Sequence, residues 1–190
     1  IILRHLERDA GKRLLDVGCA SGYLIRSFVT ARQDVTAMGI DLSPQMIAAA
    51  ETLAADLGPR VTFLSNDWED ENEELDKALT QKPFDVAVCA STFHYFANPV
   101  AALRRMQQVL TPGGRLFLLE RQRERSLPTM AWDLAHRHLI KDHVQFYSTA
   151  ELTGMVEAAG FREAKVVETI KRAFWHGKVS TNLTLIKALK

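Results

Sequence analysis

Small residues and an acidic residue follow one another at the end of a short apolar run near the start of the chain. Asp16 lies in this run, and Gly18, Ala20 and Gly22 follow it at every second position. An amphipathic stretch begins at Tyr23, so the pattern predicts a buried strand, a tight turn and a helix. A glycine turn lets a ligand approach the backbone, and free N–H groups at a helix start favour a negatively charged group. The segment therefore predicts a cofactor-binding turn.

The spacing of these small residues separates two classes of nucleotide-binding turn. A dinucleotide-binding fingerprint has glycines at relative positions one, three and six. Here those positions hold Gly18, Ala20 and Tyr23, so the third glycine is missing. An NAD-dependent oxidoreductase is therefore the less favoured hypothesis. A plain strand–turn–helix that binds no ligand also stays open, because short glycine patterns recur by chance.

Acidic residues also follow the next two predicted strands. Asp41 ends the second strand, 19 residues after Gly22, and a carboxylate there can accept hydrogen bonds from both hydroxyls of a ribose. The alternative for Asp41 is a capping role at the helix that begins after Ser43. Asp67 ends the third strand, where an acidic residue can accept from the exocyclic amine of adenine. A polar loop with a half-buried Trp68 is the alternative there.

Apolar runs rich in β-branched residues alternate with helical patterns along the chain. The predicted strands are Arg13–Val17, Val35–Ile40, Val61–Leu64, Phe84–Ala90, Arg115–Glu120, Ala164–Glu168 and Leu183–Leu189. The predicted helices are Gly22–Ala31, Pro44–Leu57, Glu71–Thr80, Pro99–Leu110, Met130–Ile140 and Thr149–Ala159. Because strands alternate with helices, the sequence predicts a parallel sheet with helices on both faces. Only a short link joins the last two strands, which favours an antiparallel pair.

Taken in chain order, the strand ends resemble one known family. The Asp-x-Gly-x-Ala-x-Gly pattern from Asp16 resembles the first motif of class I S-adenosylmethionine-dependent methyltransferases, with Ala20 in place of the usual middle glycine. The stretch from Cys89 to Pro99 resembles the fourth motif of the small-molecule branch of that family. The resemblance covers roughly residues 13–120. It implies a three-layer, Rossmann-like α/β sandwich whose seven-stranded sheet is mostly parallel, with one antiparallel strand.

The resemblance also implies S-adenosylmethionine as the cofactor and S-adenosylhomocysteine as its product. Asp41 would bind the ribose, Asp67 the adenine amine, and Trp68 would supply a backbone N–H or an apolar wall. Ala90 and Ser91 would border the methionyl chain and the sulfonium. The full set of cofactor-binding residues that we expect is Asp16, Gly18, Ala20, Gly22, Asp41, Leu42, Met46, Asp67, Trp68, Ala90 and Ser91.

The implied reaction is the transfer of a methyl group to a small-molecule acceptor by in-line displacement. His94 lies just past the fourth strand and is the candidate base for a hydroxyl or amine acceptor. A histidine that only orients the loop or packs there is the alternative. Ala90 and Ser91 stand where catechol-type methyltransferases would have their first metal ligand, so we expect no metal. A cofactor-binding module without catalytic activity is a further alternative.

The length and the net charge of the chain limit the number of domains and the kinds of partner that we expect. Its 190 residues, 47% of them hydrophobic, predict a single methyltransferase domain over residues 1–190. The start at Ile1 rather than Met indicates that an N-terminal part is missing. The net charge of +1 gives no basic field, so we expect no nucleic-acid partner. Residues 121–147 break the regular pattern with a basic bias and are the candidate substrate lid.

The two cysteines and the length of the apolar runs indicate the cellular compartment that we expect. Cys19 and Cys89 have neither metal-ligand spacing nor a disulfide framework, which favours a cytoplasmic protein. No apolar run approaches the ~18 residues that a membrane span needs, so we expect no membrane contact. The sequence leaves open the methyl acceptor, the atom that is methylated and the oligomeric state.

Overall fold

The computed structural model describes residues 2–9, 11–70, 72–123, 145–175 and 178–190 of the chain. Its strands are β1 (Arg13–Val17), β2 (Thr36–Asp41), β3 (Val61–Ser65), β4 (Phe84–Ala90), β5 (Leu110–Arg121), β6 (Arg162–Trp175) and β7 (Lys178–Leu189). Its α-helices are α1 (Ile2–Asp9), α2 (Tyr23–Ala31), α3 (Pro44–Leu53), α4 (Glu73–Gln81), α5 (Pro99–Gln108) and α6 (Thr149–Ala158). Short 3₁₀ segments cover Ala55–Arg60 and Phe93–Tyr95.

The strands form one sheet in the order β3-β2-β1-β4-β5-β7-β6. The pairs among the first five strands are parallel, whereas β7 runs antiparallel to both of its neighbours. The predicted fold class, a mostly parallel sheet with one antiparallel strand, is confirmed. The carboxyl ends of β1 to β5 therefore meet at one edge of the sheet. The chain order reverses between β1 and β4, and such a switch point opens the crevice in which α/β sheets bind ligands.

Each face of the sheet carries its own apolar core. Val86 and Val88 of β4 pack into a cluster that includes side chains of α1, α2 and α3. Ala87 and Cys89 of the same strand face a second cluster with side chains of α4, α5 and α6. A central strand buried on both faces explains why its sequence reads as an unbroken apolar run. The arrangement is a three-layer sandwich, and it fixes the strand ends rigidly.

Polar residues cap the starts of α3, α5 and α6. Ser43 and Asn98 each precede a proline and accept a hydrogen bond from the backbone three residues later, which satisfies a free N–H group of the first turn. Ser148 and Glu151 form a reciprocal capping box at α6. These caps set where α3, α5 and α6 begin relative to the strand ends.

The structure differs from the sequence prediction in a few elements. Helix α1 is not predicted, and the second predicted helix ends at Leu53 and continues as a 3₁₀ segment. Strands β6 and β7 extend through most of the predicted link, because they pair with each other along its length. The predicted helix at 130–140 and residues 124–144 of the candidate lid lie outside the described residues.

Candidate active site

The turn after β1 has the backbone geometry that only glycine adopts easily. Gly18 and Gly22 have φ angles of 77° and 71°. A Cβ atom on Gly18 would collide with the side chain of Thr92, and one on Gly22 would lie 2.8 Å from the ring of Phe63. Glycine is therefore required here by protein packing as well as by backbone conformation. Thr92, which the sequence reasoning missed, also donates from its hydroxyl to the carbonyl oxygen of Gly18 over 3.3 Å.

Asp41 links the glycine turn to the start of α3. The N–H of Ala20 donates to Oδ2 of Asp41 over 2.8 Å, and the N–H of Ser43 donates to Oδ1 over 2.9 Å. Ala20 itself has a φ of 47°, which is uncommon for a residue with a side chain. The carboxylate sits at the edge of the crevice beside the turn. Each of its oxygens can accept a further hydrogen bond, because an ionised carboxylate has about four acceptor positions.

Asp16 lies buried beneath the same turn. Its neighbour in register on β2 is Gly39, two residues before Asp41. Burial and, to a smaller extent, the negative charge of Asp41 raise the pKa of Asp16 to about 7. No basic side chain among the described residues offsets these two influences. The surroundings of Asp16 therefore favour a positive charge nearby.

Large apolar side chains stay exposed along the crevice. Leu42, which directly follows Asp41, is 69% exposed, and Met46 in the first turn of α3 is 46% exposed. Tyr23 at the start of α2 is half exposed. Apolar side chains in a crevice with a few polar groups are typical of sites for flat, largely apolar ligands. The structure thus brings Asp16 and Asp41 close enough to interact, while Leu42 and Met46 follow Asp41 into the first turn of α3.

The end of β3 contributes polar groups to the same edge. Asp67 accepts from the N–H of Glu69 with Oδ1 over 2.9 Å. Asn66 donates its N–H to the carbonyl of Asp41, while its side-chain Oδ1 is buried and unpaired among the described residues. Sequence reasoning missed Asn66, although a polar side chain directly after a strand was the available signal.

The Trp68 ring does not face the crevice. It is buried against α5, where its Nε1–H donates to the carbonyl of Ala102 over 3.0 Å. The Arg105 guanidinium lies 4.6 Å from the ring centre on this side. The ring therefore cannot serve as the apolar wall that the sequence left open, and only the backbone N–H of Trp68 stays a candidate contact. An indole buried in a core needs such a hydrogen-bond acceptor, which α5 supplies.

The end of β4 closes the opposite side of the crevice. Ala90 is half buried, and Ser91 follows it with a φ of 57°. The N–H of Ser91 donates to the carbonyl of Leu119 on β5 over 2.8 Å. This bend turns the chain away from the sheet and leads into the short 3₁₀ segment that holds His94.

His94 pairs with a glutamate that sequence reasoning missed. Its Nδ1 lies 3.0 Å from Oε1 of Glu120, the penultimate residue of β5. The backbone N–H of His94 donates to Oε2 over 3.3 Å, and the N–H of Arg121 donates to Oε1 over 2.8 Å. Glu120 is fully buried, and the His94 side chain is mostly buried. The signal that could have found it was an acidic residue at the carboxyl end of a buried strand.

Two aromatic rings contact the imidazole of His94. The ring of Tyr95 lies 4.1 Å from the ring of His94 and that of Phe146 5.2 Å away, measured between centroids. The N–H of Gln145 donates to the carbonyl of His94 over 2.9 Å. The end of the candidate lid therefore contacts the end of β4 at this histidine.

The cysteines and the acidic side chains show no nucleophile or metal cluster in the described ranges. Burial raises the pKa of the thiol of Cys19 and of that of Cys89 above their usual range, so both stay protonated. No group of three histidine, cysteine, aspartate or glutamate side chains in the described ranges could hold a metal ion. Within these ranges, no helix has the length and the apolar character that crossing a membrane requires.

Comparison with known proteins decides the family. A family model described as a methyltransferase domain matches residues 1–166. The chain belongs to this methyltransferase family. A ubiquinone biosynthesis O-methyltransferase of Aeromonas salmonicida is 29% identical over 79% of the chain and 63% of its own length. One from Paraburkholderia phymatum is 30% identical over 82% of the chain and 67% of its own length. The chain thus spans about two thirds of the length of these methyltransferases.

Solved structures agree with the methyltransferase fold. The YcgJ protein of Bacillus subtilis superposes with a TM-score of 0.75 at 18% identity, covering 100% of this chain and 96% of that one. A possible histamine N-methyltransferase of Thermotoga maritima superposes with a TM-score of 0.68 at 22% identity, covering 99% and 87%. At these identities the likeness concerns the fold. The match to a methyltransferase family favours a methyltransferase over the alternative of an NAD-dependent oxidoreductase.

Proposed function

We propose that the chain binds S-adenosylmethionine and transfers its methyl group to a hydroxyl of a small-molecule acceptor. The observation that carries the proposal is a pair of carboxylates, Asp16 and Asp41, beside one glycine turn. This turn lies at the switch point of a sheet that belongs to the methyltransferase family. The named activity of the O-methyltransferase relatives supports oxygen as the methylated atom.

The residues of the crevice fit the adenosyl part of this cofactor. Asp41 would accept from the ribose hydroxyls with the lone pairs that Ala20 and Ser43 leave available. The exposed side chains of Leu42 and Met46 would cover the adenine faces. At the edge of adenine, Asp67 would accept from the exocyclic amine and the Trp68 backbone N–H would donate.

The methionyl part would lie along the glycine turn. When bound, S-adenosylmethionine supplies a methyl group on a positively charged sulfur. Asp16, whose pKa burial and the charge of Asp41 raise to about 7, would offset the positive charge of the α-ammonium group of the methionyl part. Gly18, Ala20 and Gly22 would border the methionyl chain, with Ala90 and Ser91 opposite.

The acceptor would bind beyond the end of β4, beside His94. In-line displacement needs the nucleophile, the methyl carbon and the sulfur to be aligned, and positioning can lower such a barrier by roughly 7–11 kcal/mol. His94 would take the proton of the acceptor hydroxyl as a general base. Residues 121–147 would cover this side as a substrate lid of a single domain over residues 1–190, and the contact from Gln145 to His94 supports that role.

The proposal is tested by incubating the protein with methyl-labelled S-adenosylmethionine and a panel of phenols that includes 3,4-dihydroxybenzoate. We expect a labelled methyl group on an acceptor oxygen and equimolar S-adenosylhomocysteine, with both reduced in Asp41→Ala at subsaturating S-adenosylmethionine. Tight S-adenosylhomocysteine binding without transfer to any acceptor would instead identify a catalytically silent cofactor-binding module. Binding of NAD⁺ in place of S-adenosylhomocysteine would overturn the proposal.

A further inference from the structure

We infer that Glu120 is a positioning residue that holds His94 in the tautomer with its proton on Nδ1, so that Nε2 is left as the proton acceptor. The tautomer is a property of the protein alone. Its catalytic use rests on the function proposed above, in which His94 is the base for a hydroxyl acceptor.

The hydrogen bonds around Glu120 determine the direction of the bond to the imidazole. Arg121 donates its backbone N–H to Oε1, and His94 donates its backbone N–H to Oε2. Both oxygens are therefore acceptors already, which favours the ionised carboxylate. An ionised carboxylate has no proton to donate, so Nδ1 must be the donor in its 3.0 Å contact with Oε1. In a neutral imidazole, the other nitrogen is then an acceptor.

The carboxylate cannot easily turn away from the imidazole. Glu120 is 1% exposed and lies at the carboxyl end of β5, where its backbone pairs with Thr184 of β7. After burial, the negative charge of Glu120 is the next largest influence that raises the pKa of the Cys89 thiol on the neighbouring strand. The charge thus lies near β4, and of the two backbone donors that hold it, Arg121 ends β5 and His94 lies in the 3₁₀ segment after β4.

The imidazole has further contacts besides Glu120. Tyr95 and Phe146 contact the ring, and Gln145 donates its N–H to the backbone carbonyl of His94. Nε2 has no hydrogen bond with any described residue. The ring therefore has one nitrogen that is committed to Glu120 and one that remains for a ligand.

This arrangement gives a balanced proton transfer. The acceptor oxygen loses its proton to Nε2 and forms a bond to the methyl carbon, while the sulfur keeps the electron pair of the bond that breaks. The imidazolium that results carries protons on both nitrogens, and the adjacent Glu120 carboxylate stabilises its charge. The proton then leaves Nε2 for water once the methylated product has left.

The first test needs neither cofactor nor acceptor. Long-range ¹H–¹⁵N spectra of the ¹⁵N-histidine-labelled protein at neutral pH report the protonated nitrogen of each of the six histidines. His94→Asn identifies the His94 signals. We expect a protonated Nδ1 and a free Nε2 in the wild type and in Glu120→Gln, whose amide oxygen can still accept. A protonated Nε2 with a free Nδ1 in the wild type would overturn the inference.

Glu69→Gln is the matched control. Glu69 also holds two backbone N–H groups of the same loop, those of Ala97 and Asn98, but it does not contact the imidazole. We expect the His94 tautomer to be unchanged in Glu69→Gln and to become mixed in Glu120→Ala. If a folded Glu120→Ala kept the wild-type His94 spectrum, Glu120 would not set the tautomer.

Kinetics separate this inference from the proposed function. With a phenol that the wild type methylates, we expect kcat to fall 10²–10⁴-fold in His94→Asn, as for loss of a general base. Glu120→Ala should lose nearly as much and Glu120→Gln less, with S-adenosylhomocysteine affinity unchanged in all three. A parallel loss of kcat and affinity in the Glu120 variants would indicate a merely structural role. A wild type that methylates nothing would contradict the proposed function while the spectra still decide the tautomer.

Discussion

Asp16 and Asp41 place two negative charges on neighbouring strands at the point where the cofactor is proposed to bind. The Asp16 carboxyl is buried at this point. Burial, and to a smaller extent the negative charge of Asp41, raise its pKa to about 7. A carboxyl in such a position costs stability once it ionises. The same position makes it a good acceptor for a bound cation, so stability and binding are expected to respond to Asp16 in opposite directions.

Replacing Asp16 by asparagine should reveal both effects. The folded-state pKa lies above the ordinary value of 3.8, so the unfolded chain loses this proton first. Wild-type stability should therefore fall as the pH rises from about 4 to about 7, and Asp16→Asn should gain roughly 2–4 kcal/mol over the wild type across that window. Urea denaturation of both proteins at several pH values measures this difference.

Asp16 is expected to affect ligand binding in the opposite direction. The α-ammonium group that S-adenosylhomocysteine carries favours the ionised form of Asp16, so wild-type affinity for this ligand should rise about tenfold between pH 6 and 7.5. Asp16→Asn should bind more weakly with no such rise. An Asp16→Asn variant that is less stable than the wild type at pH 8, or that binds as tightly, would contradict this account of the pocket.

Asp41 is expected to matter for affinity more than for stability. Hydrogen bonds to a charged group are worth about 1.5–3 kcal/mol each, so Asp41→Ala should weaken S-adenosylhomocysteine binding at least tenfold by calorimetry. Asp34→Ala is the control, because Asp34 is an exposed carboxylate that pairs with Arg32 just before β2 begins. Equal affinities of the two variants would rule out the ribose contact.

At the level of single residues, local spacing pointed to part of the candidate site, whose ligand contacts stay a prediction. Asp41 could be found because its distance from the glycine turn is a local property of one strand–helix–strand unit. Glu120 also stands at a strand end, but its pairing with His94 could not be predicted, since that pairing depends on which strands become neighbours. The direction of the Trp68 ring was equally hidden, because the acceptor for its N–H is a carbonyl of α5, over thirty residues later in the chain.

The glycine turn is the element on which the crevice depends. Gly18→Ala introduces both a left-handed φ for a residue with a side chain and a collision with Thr92. Gly113→Ala is the matched control, because Gly113 has a φ of 76° and open space where its Cβ would lie, so only backbone strain applies. We expect a loss of about 1–3 kcal/mol for Gly113→Ala and at least ~1 kcal/mol more for Gly18→Ala.

Chemical denaturation of the two variants measures that difference. The double variant Gly18→Ala/Thr92→Gly should regain the free energy of unfolding that the collision costs, but not the free energy that the strained backbone costs. If Gly18→Ala cost no more than Gly113→Ala, the contact between the end of β4 and the turn would not be the reason for glycine at this position.

Among the elements, those with a strong local signal were predicted and those stabilised by distant contacts were not. The strand at Arg13–Val17 and the capped helix starts follow from patterns in a few residues. Helix α1 has only eight residues, too short to be stable alone, and it is held by packing of Ile2 and Leu6 beside Phe117 and Leu185. The extra length of β6 and β7 likewise comes from their mutual pairing.

For the whole molecule, the sheet order brings the site together. Residues of the crevice come from the ends of β1, β2, β3 and β4, and Glu120 comes from β5, so segments about a hundred residues apart in sequence meet at one edge. The family match and the fold comparisons agree with this arrangement. The acidic and apolar groups at that edge are suited to an adenosyl compound that carries a positive charge.

The most direct test of this account is an isothermal titration of the wild-type protein with S-adenosylhomocysteine, followed by the same titration with NAD⁺. We predict saturable one-to-one binding of S-adenosylhomocysteine and no heat of binding with NAD⁺. Absence of S-adenosylhomocysteine binding, or saturable binding of NAD⁺, would contradict the assignment of the crevice to an adenosyl sulfonium cofactor.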